Sequence, residues 1–384
     1  MVWHLLTPEY PPDCGGVGDY TAILAAAVAG AGDVVHVWHP CASGAESTAP
    51  ASAGVTRHEL PDRFGRRSRS VLARALSETP GTILVQYVPN AYGLRGGNVP
   101  FCRWLFRTRR AGGDVRVMFH EPFFYFGLER PWRNALAVTQ RLMATLLIRA
   151  SSTVYLSTET WFQYLAPFGP VAGASVLPIP ATLTIDPPAL IVASWRDRVR
   201  GNGQVVVGHF GTYGDQVGAE LRQVLPAIWR TLPDARVLLI GDGSRAFADR
   251  LSPSAPCDAS LAATGRLSAV DAAAALRACD VLIAPFPDGV TTRRTSLMAA
   301  LTSGRAVVTT DGPLTERVWR ETDAVALVPV GDAASFAREV KRLADAPALR
   351  AALGARGRRV YDERFDLAHT VSALRHAGVA VPVQ

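Results

Sequence analysis

The sequence predicts an α/β protein made of two doubly wound, parallel-sheet domains, and three observations carry that reading. Short apolar runs alternate with alanine-rich helical stretches from end to end, as parallel strands wrapped by crossover helices do. The alternation breaks once, at the proline-rich and aperiodic "VLPIPATLTIDPPALI". The chain has 384 residues, 48% of them hydrophobic, which exceeds one ordinary core.

In chain order, the buried strands of the first half are "VWHLL", "VVHVWH", "TILVQYV", "VRVMFH" and "STVYLS". Those of the second half are "QVVVGHFG", "ARVLLIGDG", "DVLIAPF", "RAVVTT" and "AVALVPV". The final helical stretch, "DERFDLAHTVSALRHAG", has no strand after it. The expected division is therefore 1–185, 186–365 and a terminal segment 366–384. Open sheets of this kind bind ligands beyond the carboxyl ends of their strands, so two of them facing each other would form a central cleft.

Composition excludes several classes. No run of about 18 apolar residues predicts a membrane span. The start "MVWHLLTPEY" lacks the basic and small-residue features of a signal peptide, so a cytoplasmic protein is expected. The five cysteines, Cys14, Cys41, Cys102, Cys257 and Cys279, form no C-x-x-C pair, which argues against a disulfide framework or a zinc site. The net charge of +7 is carried by arginine, with Lys341 the single lysine, and this excludes a Walker P-loop. "RFGRRSRS" reads as a solvated loop rather than a nucleic-acid patch, because no aromatic residues interleave with its charges. A dinucleotide cofactor is not expected. "GGVGDYT" lacks the third glycine of the fingerprint, and "VVHVWHP" ends in His39 and Pro40 where an acidic ribose partner would stand.

Three stretches carry candidate chemistry. In "PPDCGGVGDY", Gly15, Gly16 and Gly18 lie where the first strand turns into the first helix, a place suited to an anion cradle or simply a tight turn. "VRVMFHEPFF" puts His120 and Glu121 at the carboxyl end of a buried strand, where they can orient a hydroxyl or move a proton. "FPDGVTTRRTSLMAALTSGRAVVTT" sets Asp288 and Gly289 in a loop and Arg293 and Arg294 at the start of an apolar helix. Two cations there oppose the helix dipole unless an anion lies between them. Thr291, Thr292 and Thr295 add hydroxyl donors or a cap.

In that order, "PPDCGGVGDY", "FHEP", "VVVGHFG", "ARVLLIGDG", "LRACDVLIAPF" and "AALTSGRAVVTT" resemble the retaining GT-B glycosyltransferases of the sucrose-synthase-like and mannosyltransferase-like family, glycosyltransferase group 1. The resemblance covers nearly the whole chain. It implies two Rossmann-like domains, an acceptor site in the first, a nucleotide-sugar site in the second, and a last helix that returns to the first. It also implies transfer of a sugar to an acceptor hydroxyl with retention, the donor's phosphate oxygen taking the acceptor proton. No metal or resident cofactor is implied.

By the same resemblance Gly16 comes against the donor's diphosphate and sugar, and His120 holds the sugar. Asp19, Tyr20, Tyr87 and Glu121 face the acceptor. Arg266 and Leu267 face the nucleobase, while Gly211, Thr212, Gly241 and Asp242 join Arg293, Arg294, Thr292 and Thr295 around the donor. The acceptor is a sugar, a natural product or a lipid-linked sugar, the last bringing a peripheral membrane contact; no nucleic acid is a partner. The pattern departs at Thr291 and Ala299, where the family carries glutamates, and at Val217, where it carries a lysine. The arginine pair is then expected to hold the diphosphate, with Asp288 or Asp242 replacing a lost carboxylate. The missing glutamates also motivate a rival reading, a binding protein without turnover; a pseudo-glycosyltransferase acting on cyclitols is a third.

Overall fold

The structure, a computed structural model, describes residues 1–12, 15–41, 53–127, 132–200, 204–257 and 260–376. Cys14 and the end of the terminal segment, 377–384, lie outside the described residues. The chain forms two compact units, Met1–Ile179 with Leu367–Gln384, and Pro180–Asp366.

The first unit runs β1 (Val2–Leu6), α1 (Gly16–Gly30), β2 (Val34–Pro40), β3 (Val55–Leu60), α2 (Arg66–Glu78), β4 (Thr82–Tyr87), α3 (Val99–Arg110), β5 (Val115–Phe119), α4 (Trp132–Ala150), β6 (Thr153–Leu156), α5 (Trp161–Leu165) and β7 (Ser175–Val176). Its seven strands are parallel in the order β3-β2-β1-β4-β5-β6-β7. Side chains alternate through the sheet, as the strand period of two requires. Trp3, Leu5, Leu84 and Met118 face a layer containing Leu24 and Val28 of α1. Leu6, Ile83, Val85, Val117 and Phe119 face Phe101 and Leu105 of α3 and Met143 and Leu147 of α4.

The second unit contains α6 (Ala189–Val199), β8 (Val206–Phe210), α7 (Asp215–Thr231), β9 (Arg236–Ile240), α8 (Ser244–Leu251), β10 (Leu261–Ala263), α9 (Ala269–Ala278), β11 (Val281–Ala284), α10 (Thr295–Thr302), β12 (Ala306–Asp311), α11 (Arg317–Thr322), β13 (Ala326–Pro329), α12 (Ala333–Asp345) and α13 (Pro347–Arg364). The six strands are parallel in the order β10-β9-β8-β11-β12-β13. Strand order therefore reverses between β8 and β11, and ligands of doubly wound sheets bind at such a switch point.

The first crossover comes at Ile179–Pro180. Ile179 packs in the core of the first unit, whereas Ala181 and Leu183 pack in that of the second. Ala181 N–H also donates to the Tyr361 hydroxyl at 3.1 Å. The terminal helix α14 (Leu367–Arg375) returns to the first unit and packs beside α1. It is held there by Arg116, which donates to the Leu374 carbonyl at 2.7 Å, and by the Arg375–Asp33 ion pair at 3.2 Å.

Three strands escaped the sequence reading, β3, β7 and β10, and all three lie at sheet edges. Edge strands are short or partly polar because one side has no ladder partner, so they lack the apolar run that marks a central strand. "RFGRRSRS" is corrected as well, since most of it is the first turn of α2 rather than a loop. Asp62 accepts from the N–H groups of Gly65 at 2.8 Å and Ser68 at 3.1 Å, which starts the helix despite its run of arginines. Among the described residues, no helix is long and apolar enough to cross a membrane.

Candidate functional site

Beyond the carboxyl ends of β8 and β11 the second unit encloses a pocket of about 360 Å³. Residues 209–217 line one side, and Phe286 with residues 293–296 line the other. The chain leaves β8 through Gly211–Gly214, a loop fixed from below. Tyr213, at φ 57°, donates its hydroxyl to the carbonyls of His209 at 3.0 Å and Ile240 at 3.1 Å. Gly241, at φ +114°, lies directly behind, where an added Cβ would stand 2.4 Å from the Gly211 oxygen. Glycine at 241 thus lets two backbone turns touch.

Two helices begin at this pocket, α7 after Gly214 and α10 after Arg294, and neither has a side-chain cap. Each leaves first-turn N–H groups and a partial positive charge for an anion. Arg293 and Arg294 are half-buried at the second of these ends, and the Arg294 guanidinium lies 4.6 Å from the centre of the Phe286 ring.

What holds the arginine-bearing loop is a residue the sequence did not single out. Glu316 is 4% exposed, and its carboxylate accepts both from the Thr292 N–H and, at 2.9 Å, from the Thr292 hydroxyl. Thr292 is therefore committed to Glu316 and does not line the pocket. The hydroxyl of Thr291, also buried, has no hydrogen-bond partner among the described residues. Gly289, at φ +92°, packs against Gly312 and Thr315.

The structure thus brings together Arg293, Arg294, Thr295, Gly211 and Thr212, and adds Val217, the position of the missing lysine. Asp288 is half-buried and Asp242 exposed, the latter accepting from Gly243 N–H at 3.0 Å; neither lines the pocket. Arg266 is exposed and Leu267 packs against the core of the second unit, also outside the pocket lining. Ala299 is buried within α10. His209, which the sequence reading passed over, forms part of the pocket wall beneath Gly211. Burial pushes its pKa down to about 3, so the imidazole is neutral.

In the first unit, His120 follows β5 and is buried. Its Nε2 lies 2.7 Å from Gln86 Oε1 and donates to it, while its carbonyl accepts from Trp161 Nε1 at 3.1 Å and Ser157 Oγ at 3.2 Å. Desolvation lowers its pKa to about 3, so it serves as a neutral hydrogen-bonding group and not as a base at neutral pH. The ring of Tyr20 meets it edge-on at 5.3 Å. Asp19 is exposed and Glu121 half-buried.

Three sequence expectations change here. Tyr20 is 1% exposed, packed in the core against His120, so it presents nothing to an acceptor. Tyr87 points into the α3–α4 layer and is 1% exposed between Tyr92 and Phe119, so it presents nothing to an acceptor. The anion seat at the start of α1 is occupied by the chain's own Glu9. Its carboxylate accepts from Val17 N–H at 3.0 Å and Gly18 N–H at 3.1 Å. An added Cβ at Gly15 would stand 2.1 Å from that carboxylate, so Gly15 makes room for Glu9. Gly16 is different: it is exposed, and a Cβ there meets nothing within 4 Å.

Residues 203–346 match the family model described as glycosyl transferases group 1. No curated protein matches the chain. Among solved structures it is similar to a sucrose-phosphate synthase from Thermosynechococcus elongatus, with a TM-score of 0.77 and 15% identity over 98% of each chain. It is also similar to HepE of Anabaena in complex with UDP, with a TM-score of 0.73 and 14% identity over 98% of this chain and 99% of that one. A third similar structure is the trehalose-6-phosphate protein of E. coli bound with UDP-2-fluoro glucose, with a TM-score of 0.70 and 13% identity over 100% of both. The fold is GT-B, two Rossmann-like α/β units.

Proposed function

We propose that this chain, whose residues 203–346 match the model for glycosyl transferases group 1, is a glycosyltransferase that moves a sugar from a nucleoside-diphosphate sugar to an acceptor hydroxyl with retention of configuration. One observation carries the donor half of that reading: two uncapped helix starts and two arginines converge on one pocket at the β8/β11 switch point. As the bond from the anomeric carbon to the phosphate oxygen breaks, negative charge grows on the diphosphate. Fixed guanidinium and N–H donors stabilise that charge without reorganising. The acceptor oxygen forms its bond on the same face of the sugar, and its proton passes to the departing phosphate oxygen. Uridine diphosphate is the donor nucleotide favoured by the ligands of the similar structures.

His120, held neutral and oriented by Gln86, supports a hydrogen-bonding role toward substrate. Asp19 and Glu121 are proposed for the acceptor, whose class we take to be a sugar, a natural product or a lipid-linked sugar. Arg293 and Arg294 supply the charge neutralisation that a metal ion provides elsewhere.

The test is release of free nucleotide from UDP-sugars without added acceptor, followed with and without EDTA. Slow release at the same rate in both is expected. Loss of release in EDTA with recovery on adding magnesium contradicts the arginine assignment, and no release from any nucleotide-sugar, with or without candidate acceptors, favours a binding protein without turnover.

A further inference from the structure

At the end of the second sheet opposite the donor pocket, arginines outnumber the acids that could neutralise them. Asp280 directly precedes β11 and Arg305 directly precedes β12, so both stand at the amino ends of parallel strands. Asp280 is tied to the start of β8 as well. It accepts from the Val206 N–H at 3.0 Å, and its own N–H donates to the Val206 carbonyl at 2.8 Å. The donor pocket lies beyond the other end of β8, five residues or about 16 Å of strand away.

Five arginines converge around Asp280 from separate parts of the chain: Arg196 on α6, Arg200 just after it, Arg277 on α9, Arg305, and Arg350 on α13. All but Arg200 are half-buried. Asp280 is already committed. Arg200 donates to its two oxygens at 3.0 and 3.2 Å, and Arg350 stands 3.6 Å from one of them. Arg350 is itself fixed by donating to the carbonyls of Leu343 at 3.1 Å and Ala344 at 3.0 Å. Arg277 pairs with Asp186, whose side chain is 82% exposed, and a pair so open to water contributes little. The five arginines thus keep an excess of three positive charges over these two carboxylates.

That excess falls on Arg196 and Arg305. The Arg305 Nε is buried, and no group among the described residues accepts its hydrogen bond. Buried donors are normally paired. Burial holds the Arg305 guanidinium below its ordinary pKa, and the neighbouring Arg196 charge pushes it further the same way. A recessed group of cations with an unused buried N–H is completed by an anion. Arginine forks match the paired oxygens of a phosphate, and a phosphate monoester carries a charge of about −1.5 to −2 at neutral pH, which offsets most of the excess.

The geometry points to a second anion site on this chain, at the amino ends of β8, β11 and β12, where Arg196, Arg277 and Arg305 take inorganic phosphate or a phosphate monoester. It is separate from the donor pocket and stands whether or not the chain transfers sugar. Equilibrium dialysis of the full chain against labelled inorganic phosphate and against labelled glycerol 3-phosphate, in about 0.15 M sodium chloride, tests it. The Arg293→Ala, Arg294→Ala protein serves as the background, because it lacks the cations of the donor pocket. Saturable binding of about one equivalent should persist there, tighter for the inorganic ion if free phosphate is the ligand and tighter for the ester if a phosphorylated metabolite is. Adding Arg196→Gln and Arg305→Met should weaken binding at least about tenfold with an unchanged circular dichroism spectrum, since methionine retains much of the apolar stem of arginine. If that variant fails to fold, Arg196→Gln with Arg277→Gln, both on helices, should show the same loss. The inference is overturned if neither ligand binds the background protein, or if a folded variant binds as tightly as the background does.

Discussion

Replacing Arg293 and Arg294 together by alanine is expected to leave a folded protein that has lost most of its turnover. Both side chains line the pocket at the uncapped start of α10, where the helix dipole makes cations unfavourable in the absence of an anion. Truncation removes that repulsion and, with the other contacts of the two side chains, the cation–π contact of Arg294 with Phe286, which is worth about 1 kcal/mol or less. Catalysis should change much more. A charge-assisted hydrogen bond contributes about 1.5 to 3 kcal/mol, so kcat/KM should fall by roughly one to two orders of magnitude for each arginine. Steady-state kinetics on the two single variants and the double variant check this. Wild-type kcat/KM in the double variant would show that the pair is solvated surface.

Mild acid is expected to destabilise the protein well before its carboxylates titrate. His120 and His209 are each held neutral by burial, with pKa values lowered to about 3 from an ordinary 6.5. Above pH 6.5 neither form of the chain binds a proton at these sites, so their contribution to stability is intact. As pH falls below 6.5 the unfolded chain takes up protons that the folded chain refuses until about pH 3. Stability is therefore lost across that window, by about 1.4 kcal/mol per pH unit for each histidine, or about 2 kcal/mol each at pH 5.

A second group acts in the same direction. His4, His36 and His58 stand on adjacent strands, and burial lowers the pKa of all three. Trp38 Nε1 donates to His4 Nδ1 at 3.1 Å, and His4 Nε2 donates to the Thr79 carbonyl at 2.9 Å. His36 Nδ1 and His58 Nε2 share one proton at 3.0 Å. Protonating His4 would set its Nδ1–H against the Trp38 N–H, and protonating the accepting ring of the His36–His58 pair would set two N–H groups against each other. Urea titrations at pH 7.5 and 5.0 should show a clear fall in midpoint, and an unchanged or higher midpoint at pH 5.0 would contradict the neutral assignment.

The central strands were legible because parallel strands buried on both faces read as apolar runs, and "VRVMF" or "VLIA" could be little else. The placement of Arg293 and Arg294 was legible for a similarly local reason, since the loop, the helix start and the next strand follow one another in sequence. What sequence order could not show was how residues far apart in the chain share their hydrogen bonds. Glu9 reaches eight residues along to the start of α1, so a glycine-rich turn that looks open to a ligand already holds a carboxylate. Glu316 reaches back 24 residues to Thr292, and nothing in its local sequence marks it as the anchor of the arginine loop. Tyr87 sits in an aromatic stretch that suggests a binding surface, yet the alternation of β4 turns it into the core with Ile83 and Val85. His209 was hidden by its place inside an apolar strand, where a lone polar residue carries no motif.

The central claim is that the β8/β11 pocket holds a nucleoside diphosphate through Arg293, Arg294 and two helix starts, and the most direct measurement compares the thermal stabilisation of the wild-type protein by uridine diphosphate and uridine monophosphate. A ligand present at about one hundred times its dissociation constant adds roughly 2.7 kcal/mol, which for a domain of this size is a rise of about 5 to 10 °C. The diphosphate should give a rise of that order and the monophosphate, lacking the second phosphate, a much smaller one at the same concentration. Equal shifts for the two nucleotides would contradict the account.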